Sequence, residues 1–209
     1  MVQYKLTYFD ARGLAEPARL ILNYAGVKFE DERIAPGPEN LNPIRDQLPF
    51  GQVPVLTIDG KTKIAQSLAI FRFLGRRHGL GGKDEVEQAV IDSYGEFIYD
   101  LLANGRAYTG VASGRTQGDK EKLQKEFQTF IDTKWEKYFN KLVEASGSGF
   151  LHKSGVTWPD FIITNIYESA TTYKLDPVLK MKNFKAIHDK VKALPQLKTY
   201  FAQRKQTAN

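Results

Sequence analysis

The stretch Leu48-Pro49-Phe50-Gly51-Gln52-Val53-Pro54-Val55-Leu56, with Gln66-Ser67 ten residues further on, constrains this chain more than any other. Proline has no N–H for a sheet ladder, so Pro54 at the head of an apolar run marks a strand's first position or an edge. A cis Val53-Pro54 bond would leave the Val53 N–H and C=O facing outward, where an extended peptide can pair with them as an added strand. Asp59-Gly60 reads as a two-residue hairpin turn between Val55–Ile58 and Lys61–Ala65. Gln66-Ser67 ends the second of these strands and opens a helix with Leu68, Ile70, Phe71 and Leu74 inward. Ser67 at its cap would leave backbone N–H groups for a carboxylate. One short segment thus offers an edge to a peptide backbone and a helix N-terminus to its acidic end.

The flanking pattern completes a small sheet. Tyr4–Phe9 alternates as a strand, Asp10–Gly13 is a turn, and Leu14–Ala25 is an amphipathic helix with Leu14, Ala18, Leu22 and Ala25 on one stripe. Gly26 stops that helix, and Phe29–Ile34 is a second strand. Strand–helix–strand order implies a parallel pair with a right-handed crossover. Ala35–Asn40 is read as a loop and Leu41–Gln47 as a short irregular helix. The first eighty residues therefore read β-α-β-α-β-β-α.

Gly79–Asp84 is the linker stretch, dividing residues 1–80 from 85–209 with 81–84 between them. Beyond it strand signals vanish, and helical periods run through Val86–Asn104, Lys120–Glu144, Trp158–Tyr173, Phe184–Ala193 and Pro195–Arg204. Gly110–Gly118 and Ser146–Gly149 are the breaks. Thr157-Trp158-Pro159-Asp160 is a capping box opening the apolar spine of an all-α domain.

Composition removes several chemistries. The chain has no cysteine, which excludes disulfides, a nucleophilic thiol and thiolate zinc sites, so sulfur chemistry must fall on a bound molecule. No run of about eighteen apolar residues exists to span a membrane. The N-terminus lacks the basic-then-apolar layout of a signal peptide, giving a cytoplasmic address as the expectation. Net charge is +6, from 30 basic against 24 acidic residues, scattered except at Arg76-Arg77 and a basic C-terminal end running from Lys182 to Arg204 and Lys205. Without an aromatic–basic interleave, no nucleic-acid partner is expected, while acidic small ligands are mildly favoured. His78, His152 and His188 show no metal-ligand spacing, and no metal is expected.

Together these residues resemble a cytosolic glutathione transferase of the sigma class, nematode-type branch. The resemblance is carried by Tyr4–Phe9 with Arg12, Gly13 and Glu16, by Leu48–Leu56, by Gln66–Ile70 with Arg72 and Leu74, and by Thr157–Phe161. They stand in family order over nearly the whole chain. The resemblance implies an α/β thioredoxin-like N-terminal domain plus an all-α C-terminal helical bundle domain. It further implies a homodimer with glutathione as co-substrate in each subunit. Tyr8 matches the catalytic tyrosine. Val53, beside the matching cis-proline Pro54, would hold the cysteinyl backbone, Gln66 and Ser67 the γ-glutamyl end, and Asp100 the γ-glutamyl amine from the partner subunit. Leu41, Arg45 and Gln52 stand where the family meets the glycyl carboxylate, Leu41 replacing a tryptophan and Arg45 a lysine. Phe9, Gly13, Leu14, Asn104 and Tyr108 would line the pocket for the second substrate. Tyr99 replaces a second carboxylate that holds a divalent cation in some relatives. Leu14 and Ala107 replace an arginine and a tryptophan of the prostaglandin-synthesising relatives, which implies a permissive apolar cleft.

The chemistry expected of such a set is conjugation of glutathione to electrophilic hydrophobic compounds, as in detoxification. A thiol of pKa about 8.5 is only a few per cent ionised at neutral pH, and the thiolate is the nucleophile. A phenol donating a hydrogen bond to sulfur favours the charged form, and a two-unit drop takes about 2.7 kcal/mol. The alternatives carried by the same set are a ligandin-type carrier of haem and other flat anions, or a glutathione-dependent isomerase or peroxidase.

Overall fold

Residues 2–207 are described by a computed structural model, and they form two compact units. One joins the chain up to Gly81 with the segment from Leu194 onward; the other is Gly82–Ala193. The C-terminal segment was expected in the helical domain. It groups with the first unit because its polar side chains find their partners there, on Glu16 and Asp10.

The first unit is built on a four-stranded mixed sheet, β1 (Tyr4–Phe9), β2 (Phe29–Ile34), β3 (Val55–Ile58) and β4 (Thr62–Ala65), in the order β2-β1-β3-β4. β1 and β2 run parallel, as a helical crossover requires, and the remaining pairs are antiparallel. Asp59, Gly60 and Lys61 join β3 to β4, one residue more than the two-residue turn expected, since Ile58 pairs with Thr62; Asp59 and Gly60 take positive φ of 51° and 68°. The helices of this unit are α1 (Glu16–Tyr24), α2 (Pro38–Arg45) and α3 (Ser67–Arg77).

Three expectations are corrected here. A single 3-10 turn, Gly13–Ala15, precedes α1, so Leu14 leaves the helical stripe and lies 40% exposed. Ala18, Ile21 and Leu22 fill the core in its place. α2 starts at Pro38, inside the expected loop, because proline is already set for a first helical turn. Ser67 is the first residue of α3, and Gln66 occupies the cap with φ of 69°.

The second unit contains no strand among the described residues. It comprises α4 (Glu85–Ala112), α5 (Lys120–Phe130), α6 (Glu136–Ser146), α7 (Trp158–Tyr173), α8 (Asp176–Leu179) and α9 (Lys182–Lys192). α4 outruns its sequence reading by two turns, since Gly105 and Gly110 lie buried within it instead of breaking it. Gly105 leaves room for the Phe127 ring, which would stand 2.7 Å from an added Cβ. α5 and α6 were read as one helix; a π-helical turn at Ile131–Trp135 separates them. α7 carries the expected capping box and a core of Trp158, Phe161, Ile162 and Ile163. A last short helix, α10 (Lys198–Gln203), belongs to the first unit.

Candidate active site at the ends of three strands

Strand register brings the expected glutathione residues to one edge of the sheet. Thr7 pairs with Val55, and Val55 pairs with Ala65. Continuing each ladder by one residue places Tyr8 at the end of β1, Pro54 at the start of β3 and Gln66 at the end of β4 level with one another. The Val53-Pro54 peptide bond is cis, as expected. Pro54 is buried and Val53 half-buried, just ahead of the ladder. Gln66 is exposed and turns the chain into α3, where Ser67 is buried in the first turn.

Tyr8 is held by the turn that follows its strand. Its ring is buried, and its hydroxyl oxygen accepts a hydrogen bond from the Leu14 N–H at 3.1 Å. This closure depends on Gly13. The residue has φ of 42°, and a Cβ there would lie 2.5 Å from the Tyr8 hydroxyl oxygen and 2.7 Å from a ring carbon. Gly13 was expected to line a substrate pocket; its visible work is to let the turn approach the phenol. Phe9 packs edge-on against Tyr8 at 5.5 Å, leaving apolar surface from Phe9 and exposed Leu14 beside the hydroxyl.

Beneath the turn lies a charge network that was only partly legible in advance. Arg19 is fully buried, its guanidinium carbon 6.0 Å from the Tyr8 ring centroid. Its Nη1 donates to the Ala11 and Arg12 carbonyls at 2.8 and 3.2 Å, fixing both sides of the turn. Its Nε donates to both Asp31 oxygens at 3.0 and 3.1 Å, and Nη1 also reaches Glu16 at 3.4 Å. Arg33 joins Asp31 to Asp10 at 2.8 and 3.3 Å. The ion pair with Lys205 holds the Asp10 carboxyl below its usual range, with Arg33 contributing. Glu32 likewise sits below the ordinary glutamate value, through its bonds from Lys5 and Thr7. Arg19 passed unnoticed in the sequence; the usable signal was an arginine three residues after Glu16 on a helix with apolar neighbours on both sides.

The glycyl end is assembled differently. Arg45, at the end of α2, donates from Nη1 to the Gly51 carbonyl at 3.2 Å and from Nε and Nη2 to Asn42 at 3.2 and 3.0 Å. It therefore stands against the loop that carries exposed Gln52. Leu41 is half-buried one turn earlier on α2. In the second unit, Asp100 and Asn104 are exposed on α4, the Asn104 amide donating to the Asp100 carbonyl at 2.8 Å. Tyr108 departs from expectation. It is 1% exposed and packs 6.1 Å from the Phe127 ring, so it presents no open surface, and burial raises its phenol above the ordinary value. Among the described residues no group of three His, Asp or Glu side chains is placed to hold a metal ion. Likewise, no helix of theirs is long and apolar enough to cross a membrane.

A thioredoxin-like sheet unit with a cis-proline edge beside a strand-end tyrosine, followed by an all-helical unit, defines the two-domain class of glutathione-handling enzymes. The glutathione S-transferase N-terminal domain matches residues 4–76, and the glutathione S-transferase C-terminal domain matches residues 107–204. Glutathione S-transferase 1 of Ascaris suum is 41% identical over 207 residues, covering 99% of each chain. The crystal structure of the glutathione S-transferase from Ascaris lumbricoides superposes with a TM-score of 0.89 at 40% identity, covering 99% of this chain and all of that one. A glutathione S-transferase of the hookworm Necator americanus, described as monomeric, gives 0.88 at 36% identity over 98% of both chains. The chain belongs to the glutathione S-transferase family. It is a glutathione transferase, with glutathione as its co-substrate.

Proposed function

We propose that this enzyme is of the sigma class and that Tyr8 activates the glutathione thiol for attack on electrophilic hydrophobic compounds. The observation that carries the reading is the Tyr8 hydroxyl, fixed by the Leu14 N–H at 3.1 Å on the edge shared by Val53-Pro54 and Gln66. An oxygen that already accepts one hydrogen bond is the better donor to a sulfur, and donation to the thiolate favours the charged form. The thiol proton leaves to solvent, the sulfur pair forms a C–S bond, and the electrophile's leaving group departs or its π electrons move onto the acceptor.

Val53 would pair with the cysteinyl backbone, while Gln66 and Ser67 would take the γ-glutamyl end at the start of α3. Arg45, with Leu41 and Gln52, would meet the glycyl carboxylate. The planar guanidinium suits a carboxylate and replaces the usual lysine without loss of charge. Asp100 would serve the γ-glutamyl amine in a second copy of the chain. Phe9 and Leu14 give the second substrate an apolar rest.

A homodimer acting in detoxification in the cytoplasm is part of this reading. Val86 and Val90 are 75% and 38% exposed on α4, apolar side chains that a second copy would cover. Sedimentation equilibrium tests it, and the monomeric relative shows what the contrary result would look like. Carriage of haem or similar flat anions is the second reading, favoured by the net charge of +6. Haematin binding no tighter than to an unrelated basic protein removes it.

The central test is Tyr8→Phe in conjugation of glutathione to a generic aryl halide. Turnover should fall by about 10²-fold while glutathione affinity stays nearly constant, since the lost bond serves the thiolate rather than the tripeptide backbone. Wild-type values for both would overturn the assignment.

A further inference from the structure

The C-terminal segment makes its polar contacts on the two carboxylates that bracket the Tyr8 turn, one on each side. Glu16 follows the turn, is 1% exposed, and accepts from the Tyr200 hydroxyl at 2.9 Å and from Arg204 Nη1 at 2.9 Å. Asp10 precedes the turn and pairs with Lys205. Burial, reinforced by the Glu16 carboxylate, pushes the Tyr200 phenol above its ordinary value and keeps it a donor.

We propose that the segment Lys198–Lys205 is a clamp that positions the thiol-activating turn, with Arg204 and Lys205 keeping the field beneath Tyr8 positive. The inference rests on the reading of Tyr8 given above. The charged and titratable groups that face the turn are Asp10 and Arg12 within it, Glu16 and Arg19 from α1, Asp31 and Arg33 from β2, and Tyr200, Arg204 and Lys205 of the clamp. Glu32 is satisfied by Lys5 at 2.7 Å. Among these groups Asp10, Glu16 and Asp31 are three carboxylates, opposed by Arg12 in the turn and by Arg19 and Arg33 from the helix and sheet. Without the clamp these charges cancel; Arg204 and Lys205 bring the sum to two positive. A positive field favours ionisation of a thiol held by Tyr8. Glu16 passes the clamp's grip on through Arg19, whose guanidinium holds the Ala11 and Arg12 carbonyls. These are positioning residues: none of them is proposed to touch glutathione.

The test is the pH profile of kcat/KM and the thiolate absorbance of enzyme-bound glutathione, measured on the full chain. Arg204→Gln should raise the midpoint of thiol ionisation by about 0.5 pH unit, an about threefold lower thiolate fraction below the midpoint. The high-pH plateau and the KM for glutathione should stay at wild type, and Arg204→Lys should restore most of the shift. Because Arg204→Gln leaves a buried carboxylate short of a partner, Lys205→Gln provides a variant at a mostly exposed side chain. It should shift the midpoint the same way by less. Profiles of both glutamine variants superimposed on wild type, with the Tyr8→Phe loss intact, would overturn the clamp alone. Absence of the Tyr8→Phe loss would overturn the underlying reading and the clamp with it.

Discussion

Each unit of the molecule buries one carboxylate in the first turn of a helix. Glu16 opens α1 and is surrounded by Arg19, Arg204 and the Tyr200 hydroxyl. Asp160 sits in the first turn of α7 and is fully buried among neutral donors. It accepts from the Thr157 N–H at 2.8 Å, the Thr157 hydroxyl at 2.9 Å and the Leu151 N–H at 3.0 Å. Three hydrogen bonds do not offset the loss of water, and burial pushes the Asp160 carboxyl up to about 6. The same helix position thus serves two purposes. In the sheet unit the charge is matched by countercharges and ties distant chain segments to the turn below Tyr8. In the helical unit it is unmatched and only closes a cap.

The largest effect should come from breaking the matched site. Glu16→Ala removes the carboxylate that the nearly buried Arg204 and the Tyr200 hydroxyl share, and leaves fully buried Arg19 with Asp31 alone as its countercharge, at a cost of about 3–5 kcal/mol in urea denaturation. Glu16→Gln keeps the Tyr200 and Arg204 acceptor and should cost less. A loss below about 1 kcal/mol for the alanine variant would mean the arginines find water, and the contrast between the two carboxylates would fail.

Asp160→Ala comes next. It leaves the Leu151 and Thr157 N–H groups without acceptors and should cost about 2–3 kcal/mol. Its pH signature sharpens the comparison. With a folded value of about 6 and an unfolded value near the ordinary aspartate, the folded chain keeps a proton that the unfolded chain has released between about pH 4 and 6. Stability therefore falls as pH rises through that window, by about 1–3 kcal/mol, and is flat above it. Asp10 and Glu32 in the sheet unit are shifted the other way. Their contribution is present above the ordinary carboxylate range and is lost as pH falls through their lowered values. Amide hydrogen exchange across pH 4–6 should accordingly show protection near α7 declining with rising pH while that of β1 and β2 holds or grows. In Asp160→Asn the decline should vanish.

How much of this was readable beforehand follows from the range of the interactions. The capping box announced itself because Thr157 and Asp160 are three residues apart, and the hairpin because Asp59-Gly60 carries its backbone angles in its composition. The strand-end edge was legible in Pro54. The Glu16 cluster was legible only in Arg19, three residues away; Tyr200 and Arg204 come from the far end of the sequence, and no local pattern links them to it. In the sequence the basic C-terminal end counted only toward net charge, yet Arg204 is spent on a buried carboxylate. Leu14 was placed on the wrong face because a 3-10 turn shifts the helical phase, and Gly13 was read for a pocket surface instead of the approach it permits. Short-range chemistry was visible; long-range charge pairing and steric clearance were not.

A neutral rung completes the scale. The Trp135 indole N–H donates to the Phe97 carbonyl at 2.9 Å, its ring stacked 4.8 Å from both Phe97 and Phe139. It closes the π-helical turn between α5 and α6, where the extra residue swings the indole to where it meets that carbonyl. No charge is involved at either end, so Trp135→Phe should cost about 1–2 kcal/mol from one neutral hydrogen bond and some ring area. It should be indifferent to pH between 4 and 8 and leave the thiol-ionisation midpoint unmoved. If instead it cost as much as Glu16→Ala, packing rather than charge would set the order of the three sites. The distinction between a matched carboxylate near the chemistry and an unmatched one in the scaffold would then carry no energetic meaning.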